Sequence, residues 1–113
     1  MNTRTFMIAL IAPIVVSTSA MAAESWHTST IKKVYPQANG TFIVVFDTNA
    51  SDCPNTNLDK YHYVSPTQNG MTEEGAKKIY AAALLALAMD KTVQVAFDNA
   101  TSSCHINRMV LIK

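Results

Sequence analysis

Thr72-Glu73-Glu74-Gly75-Ala76-Lys77-Lys78-Ile79-Tyr80-Ala81-Ala82-Ala83-Leu84-Leu85-Ala86-Leu87-Ala88-Met89-Asp90 is the stretch of this chain that reads most clearly as a helix, and its place among the strands decides the fold. Thr72 suits an N-cap, and Glu73 and Glu74 set negative charge in the first turn, where the helix dipole favours it. Gly75 carries a cost there, but Ala and Leu dominate from Ala76 to Met89, and Asp90-Lys91 ends the helix.

Three strands are expected before it. Trp26 to Tyr35 is rich in Thr, Ile, Val and aromatics, and Pro36-Gln37-Ala38-Asn39-Gly40 then sets Asn-Gly where a tight hairpin needs positive φ. Thr41 to Asp47 is apolar on both faces. Thr48 to Asn57 collects Asn, Ser, Asp and Pro and reads as a loop. Leu58 to Val64 places Tyr61 and Tyr63 on one face, with Lys60 and His62 on the other. Two strands follow the helix: Thr92 to Phe97, with Val93, Val95 and Phe97 on one face, and His105 to Ile112. A mainly β chain in the order β-β-β-α-β-β fits a five-stranded OB-like Greek-key barrel, with an open α+β sheet as the alternative.

The ends and the composition bound the rest. Residues 1–22 read as a signal peptide: Arg4, an apolar run from Phe6 to Val16 too short to span a bilayer, and small residues ending Ala20-Met21-Ala22. Residues 23–113 are then one small domain, periplasmic or secreted, with no membrane span after cleavage. Without Arg4 the chain carries eight Lys/Arg against eight Asp/Glu. That balance argues against a nucleic-acid partner, because phosphate binding needs an excess of cations. Cys53 and Cys104 form an even pair suited to a disulfide in an oxidising compartment. In an OB barrel the third and fifth strands are parallel neighbours, so both cysteines fall at one end. No C-x-x-C is present, and Cys104-His105 alone lacks zinc-ligand spacing, so no metal and no cofactor are expected. Phe46-Asp47-Thr48-Asn49-Ala50-Ser51-Asp52-Cys53 is echoed by Phe97-Asp98-Asn99-Ala100-Thr101-Ser102-Ser103-Cys104, each with Phe seven residues before Cys.

No motif supports catalysis. His27, His62 and His105 are scattered, the Glu73-Glu74 pair is explained by the helix dipole, and nothing resembles a nucleophile elbow or a phosphate loop. Binding is the expected class, and no enzymatic activity is expected. Trp26, Tyr61 and Tyr63 are candidate stacking faces for a ligand, with core packing as the alternative. On the helix, Ala76, Ile79, Tyr80, Ala83, Leu84 and Leu87 form the stripe expected to face the sheet. Ala81, Ala82, Leu85 and Met89 leave a second apolar side, a candidate interface in a homo-oligomer.

Val34-Tyr35-Pro36-Gln37-Ala38-Asn39-Gly40 and Phe97-Asp98-Asn99-Ala100-Thr101-Ser102-Ser103-Cys104-His105-Ile106-Asn107-Arg108 resemble a group of small exported gammaproteobacterial proteins of unassigned function. In element order the chain also resembles the B subunits of subtilase-cytotoxin and typhoid-toxin type assemblies. Those are disulfide-bonded OB domains that form pentameric rings and bind host glycans. They carry more cysteines, and none of their sugar-binding residues carries over to this sequence. The resemblance implies an exported binding or assembly module, ring-forming and glycan-binding. The alternatives are a monomeric periplasmic protein of structural or envelope role, and an inhibitor that caps another exported protein as its protein ligand.

Overall fold

The computed structural model describes residues 23–113; the signal-peptide reading of residues 1–22 lies outside the described residues. Five strands and one helix form in the expected order: β1 Glu24–Pro36, β2 Phe42–Phe46, β3 Tyr61–Val64, α1 Glu73–Met89, β4 Thr92–Asp98 and β5 Ile106–Ile112. The chain is mainly β, and its strands make one antiparallel sheet in the order β3-β2-β1-β4-β5.

β1 organises the sheet because it is shared. Its first half, Glu24–Thr30, pairs with β4, and its second half, from Ile31 on, pairs with β2 across a bulge between Ile31 and Lys33. The Gln37–Thr41 turn closes the first hairpin, with Gln37 N–H donating to Thr41 O (2.9 Å) and Gly40 at the positive φ that glycine adopts freely.

The sheet is not closed. β3 and β5 are its two edges and do not pair as strands, which corrects the expectation that they are parallel neighbours. What joins them are links between the flanking loops. Cys53 and Cys104 are disulfide-bonded with Cα atoms 5.9 Å apart. Tyr63 N–H donates to Ser103 O (3.1 Å), Asn55 Nδ2 to Ser102 O (3.1 Å), and Asn69 Nδ2 to His105 O (2.8 Å). β3 is also shorter than expected. Leu58 is 92% exposed, and Leu58–Lys60 runs along a side chain rather than a strand. Asn49 Nδ2 donates to Leu58 O, and Asn49 Oδ1 accepts from Lys60 N–H, so one amide satisfies backbone that no neighbouring strand reaches.

The helix starts as expected. Thr72 Oγ1 accepts from Gly75 N–H at 3.0 Å. A Cβ at residue 75 would meet Thr72 Oγ1 at 3.1 Å and Met71 Sδ at 3.2 Å, so glycine lets the buried Met71 pack beneath the cap. Asp90 ends the helix in the left-handed region, where Lys91 N–H donates to Ala86 O (2.9 Å). The face on the sheet differs from the expected stripe. Ala76, Ala83 and Ala86 are buried, with Ile79 and Tyr80 partly covered, whereas Leu84 and Leu87 are exposed. Alanine at the contact lets the helix lie close to the strands, and the larger leucines are left at the rim. The core beneath it combines Phe42, Val44, Phe46 and Val64 with Val93, Val95, Phe97 and Ile106.

The disulfide closes a loop spanning a sequence separation of 51 residues. Replacing both cysteines, Cys53→Ala with Cys104→Ala, is expected to lower stability by about 4 kcal/mol in the chain-entropy account. The shift of the urea-unfolding midpoint measures it.

Candidate functional site

Three features stand out, and they share strands. The first is an open cleft of about 540 Å³ between the β1–β2 hairpin and the first half of α1. Gln37, Asn39 and Phe42 line it from the hairpin side, and Glu73, Lys77 and Tyr80 from the helix. The size lies within the usual range for small-ligand sites. Tyr80 and Phe42 meet edge to face with ring centroids 5.1 Å apart. The Asn39 side chain is committed to the turn, its Oδ1 accepting from Thr41 N–H (3.0 Å). Apolar ring surface beside amide, carboxylate and ammonium groups suits a polar ligand that has one apolar face, as a sugar ring has. Reading along the chain did not single out this site. Gln37 and Asn39 read as turn residues and Tyr80 as helix packing, because their meeting depends on where the helix lands.

The second feature is the outer face of the sheet, where the expected ligand residues lie. Tyr61 and Tyr63 share a face, as expected, and each belongs to a cross-strand row: Lys33–Val45–Tyr61 and Tyr35–Ile43–Tyr63. The aromatic rows explain why Ile43 and Val45 are buried on a side of the sheet away from the core. Lys33, Tyr35, Val45 and Tyr61 also border a smaller hollow of about 240 Å³. Trp26 does not join them. It lies on the half of β1 that pairs with β4, in the row Trp26–Ala96–Arg108, seven residues before Lys33. At ~3.3 Å per residue that is roughly 23 Å along the strand. Trp26 is 46% exposed and carries the Arg108 guanidinium 5.4 Å from its ring centroid, with Arg108 also paired to Glu24. The three aromatics therefore make two separate surfaces.

The third feature is buried. His62 projects from β3 into the core with no exposed surface, its ring edge-to-face with Phe46 (5.0 Å) and Phe97 (4.8 Å). Phe46 and Phe97 are the matching phenylalanines of the two echoed segments, and the matching cysteines are bonded to each other beside the same ring. The echo thus converges on one point in the core. Neither ring nitrogen of His62 makes a hydrogen bond of good geometry, although the Cys104 backbone lies near enough to act on its charge. Burial pushes its pKa from 6.5 down to about 4; the charges of His27 and Lys60 act in the same direction, and the Cys104 backbone opposes them.

The helix and its neighbouring edge strand leave apolar surface in water. Leu85 is 50% and Met89 56% exposed, Ala81 is exposed and Ala82 half-buried, with Leu84 and Leu87 adding to the same helix. Val110, Leu111 and Ile112 are exposed at the end of β5, a strand the helix touches and whose outer edge has no strand partner. Among the described residues no helix is long and apolar enough to cross a membrane.

The depressed pKa of His62 gives the oxidised protein a stability that depends on pH. The unfolded chain takes up the proton first as pH falls below 6.5, and the folded chain resists until about 4. Stability is therefore complete above 6.5 and declines through that window by about 3 kcal/mol. Urea midpoints between pH 7 and 4 should show this slope, and His62→Leu should remove most of it, leaving the part that comes from His105, whose pKa partial burial also lowers.

Comparison of the chain with protein-family profiles, with curated proteins and with solved structures finds no match.

Proposed function

We propose that this chain is an exported, non-catalytic binding module that assembles with copies of itself and holds a glycan in the cleft between hairpin and helix. The carrying observation is the cleft itself, an open hollow of about 540 Å³ that joins Phe42 and Tyr80 to the polar groups of Gln37, Glu73 and Lys77. The disulfide supports the exported part of the reading, since such bonds persist in oxidising compartments. The OB-like form belongs to the same proposal. Its support is the strand order, with β1 central and the β3 and β5 edges tied through the disulfide and the Tyr63–Ser103 hydrogen bond.

Assembly rests on two surfaces. An unpaired strand edge with exposed apolar residues is a template for pairing with another chain, and β5 presents such an edge at Val110 to Ile112. The exposed helix side chains offer a second apolar surface, and burying Leu85 or Met89 against a neighbour recovers about 1.5–3 kcal/mol each. Together these favour a closed ring over an isolated protomer.

Light scattering on a sizing column is expected to give a mass of several protomers. Leu85→Glu should reduce it to the monomer with unchanged circular dichroism, and a wild-type monomer would remove the assembly reading. On a glycan array, Gln37→Ala and Tyr80→Ala should each lower the signal at least tenfold, while Trp26→Ala should leave it intact. A wild-type array without hits would end the glycan reading.

A further inference from the structure

The buried histidine has no role in the binding reading, and its neighbours give it one. Cys53, His62 and Cys104 each offer a ligand atom, and these atoms all lie within 4.8 Å of one another. All three residues are buried, and neither nitrogen of the imidazole makes a hydrogen bond of good geometry. A leucine or phenylalanine at residue 62 would fill the space without leaving a polar atom unsatisfied, so packing alone does not account for an imidazole. The histidine beside Cys104 in sequence, His105, is not part of the cluster; the one that reaches the sulfurs comes from the facing edge strand.

We propose that, once the disulfide is reduced, the Cys53 and Cys104 thiolates and a ring nitrogen of His62 bind one thiophilic d10 metal ion, Zn(II) or Cu(I), in the place the disulfide occupied. The electrons come from a thiol reductant: two reductant thiols are oxidised to their own disulfide as the Cys53–Cys104 bond takes up two electrons and two protons. Metal binding then releases those two protons as both cysteines become thiolates. His62 enters neutral, as a nitrogen ligand requires.

The surroundings suit such an ion. Thiolate and imidazole together select Zn(II) or Cu(I) over the hard cations; two sulfurs and one nitrogen suit three-coordinate Cu(I) as they stand, whereas Zn(II) would take a water as its fourth ligand. With bonds of about 2.3 Å to sulfur and 2.0–2.1 Å to nitrogen, ligand atoms around one ion sit some 3.5–4 Å apart. The sulfurs reach that spacing by side-chain rotation once their bond is broken, on Cα atoms 5.9 Å apart. Lys60 anchors the loop that carries Cys53, its Nζ donating to Cys53 O (2.7 Å) and Ala50 O (2.9 Å). Because the cluster is closed to solvent, loading occurs as the chain folds or opens locally. Disulfide and metal are then mutually exclusive ways of closing the same core.

The test uses the purified protein, reduced with a dithiol and freed of reductant without oxygen. It is titrated with Co(II) as the coloured stand-in for zinc, with Zn(II) itself, and with Cu(I) against a chromophoric chelator. One equivalent of Zn(II) or Cu(I) is expected to bind, with thiolate-to-metal charge transfer in the cobalt form, and the oxidised protein should bind none. His62→Leu, shown to be folded in its oxidised form, should weaken binding at least tenfold. If reduction unfolds the chain, one equivalent of metal should restore its native circular dichroism. Equal affinity in His62→Leu, no one-to-one complex with either ion, or a reduced chain that stays unfolded with metal would each overturn the proposal.

Discussion

The sheet depends on a covalent bond between the loops that lead into its two edge strands. β3 and β5 stand at opposite ends of the strand order, and strand hydrogen bonds do not hold them together. The Cys53–Cys104 bond, reinforced by Tyr63 N–H to Ser103 O, brings these edges around one buried ring. A small domain has little apolar core to offset its chain entropy, so a cross-link of this span accounts for a large share of the net stability. The aromatic cage of Phe46, His62 and Phe97 fills the space that the link encloses.

A second constraint comes from alanine. The buried contacts of α1 are Ala76, Ala83 and Ala86, which bring the helix backbone near the strands and turn its leucines outward. That choice shapes both surfaces of the molecule. It brings Tyr80 against Phe42 and frames the cleft at the hairpin end, and it leaves Leu84, Leu85 and Leu87 exposed on a helix that also touches β5.

Element order, the hairpin turn and the helix cap were legible from residues 24–112 because each follows from local chemistry, and the cysteine pairing because the chain has two cysteines. Asn39-Gly40 marks its turn, Thr72 its cap, and Val93, Val95 and Phe97 their shared face. The helix contact face was less legible, since periodicity ranks Leu84 above Ala86 by hydrophobicity and is blind to how closely a helix approaches. The length of β3 misled for a related reason: Leu58 looks like a strand residue until Asn49 is seen to take the partner's place. The cleft and the Cys53–His62–Cys104 cluster were not legible, because each joins residues from distant parts of the chain whose meeting only the fold determines. The Phe-to-Cys echo was the one trace of that cluster, and it carried no sign that His62 lay between the two halves.

The divided pairing of β1 bears on how such a chain folds as it is delivered from its amino end. The second half of β1 finds β2 at once, through a five-residue turn. The first half waits for β4, whose residues 92–98 emerge more than 60 residues later. Until then Trp26 and its neighbours form a loose strand ahead of a finished hairpin, open to chaperones and proteases. The interval ends only when the carboxy-terminal third has emerged, so the last segment delivered decides whether the first one survives.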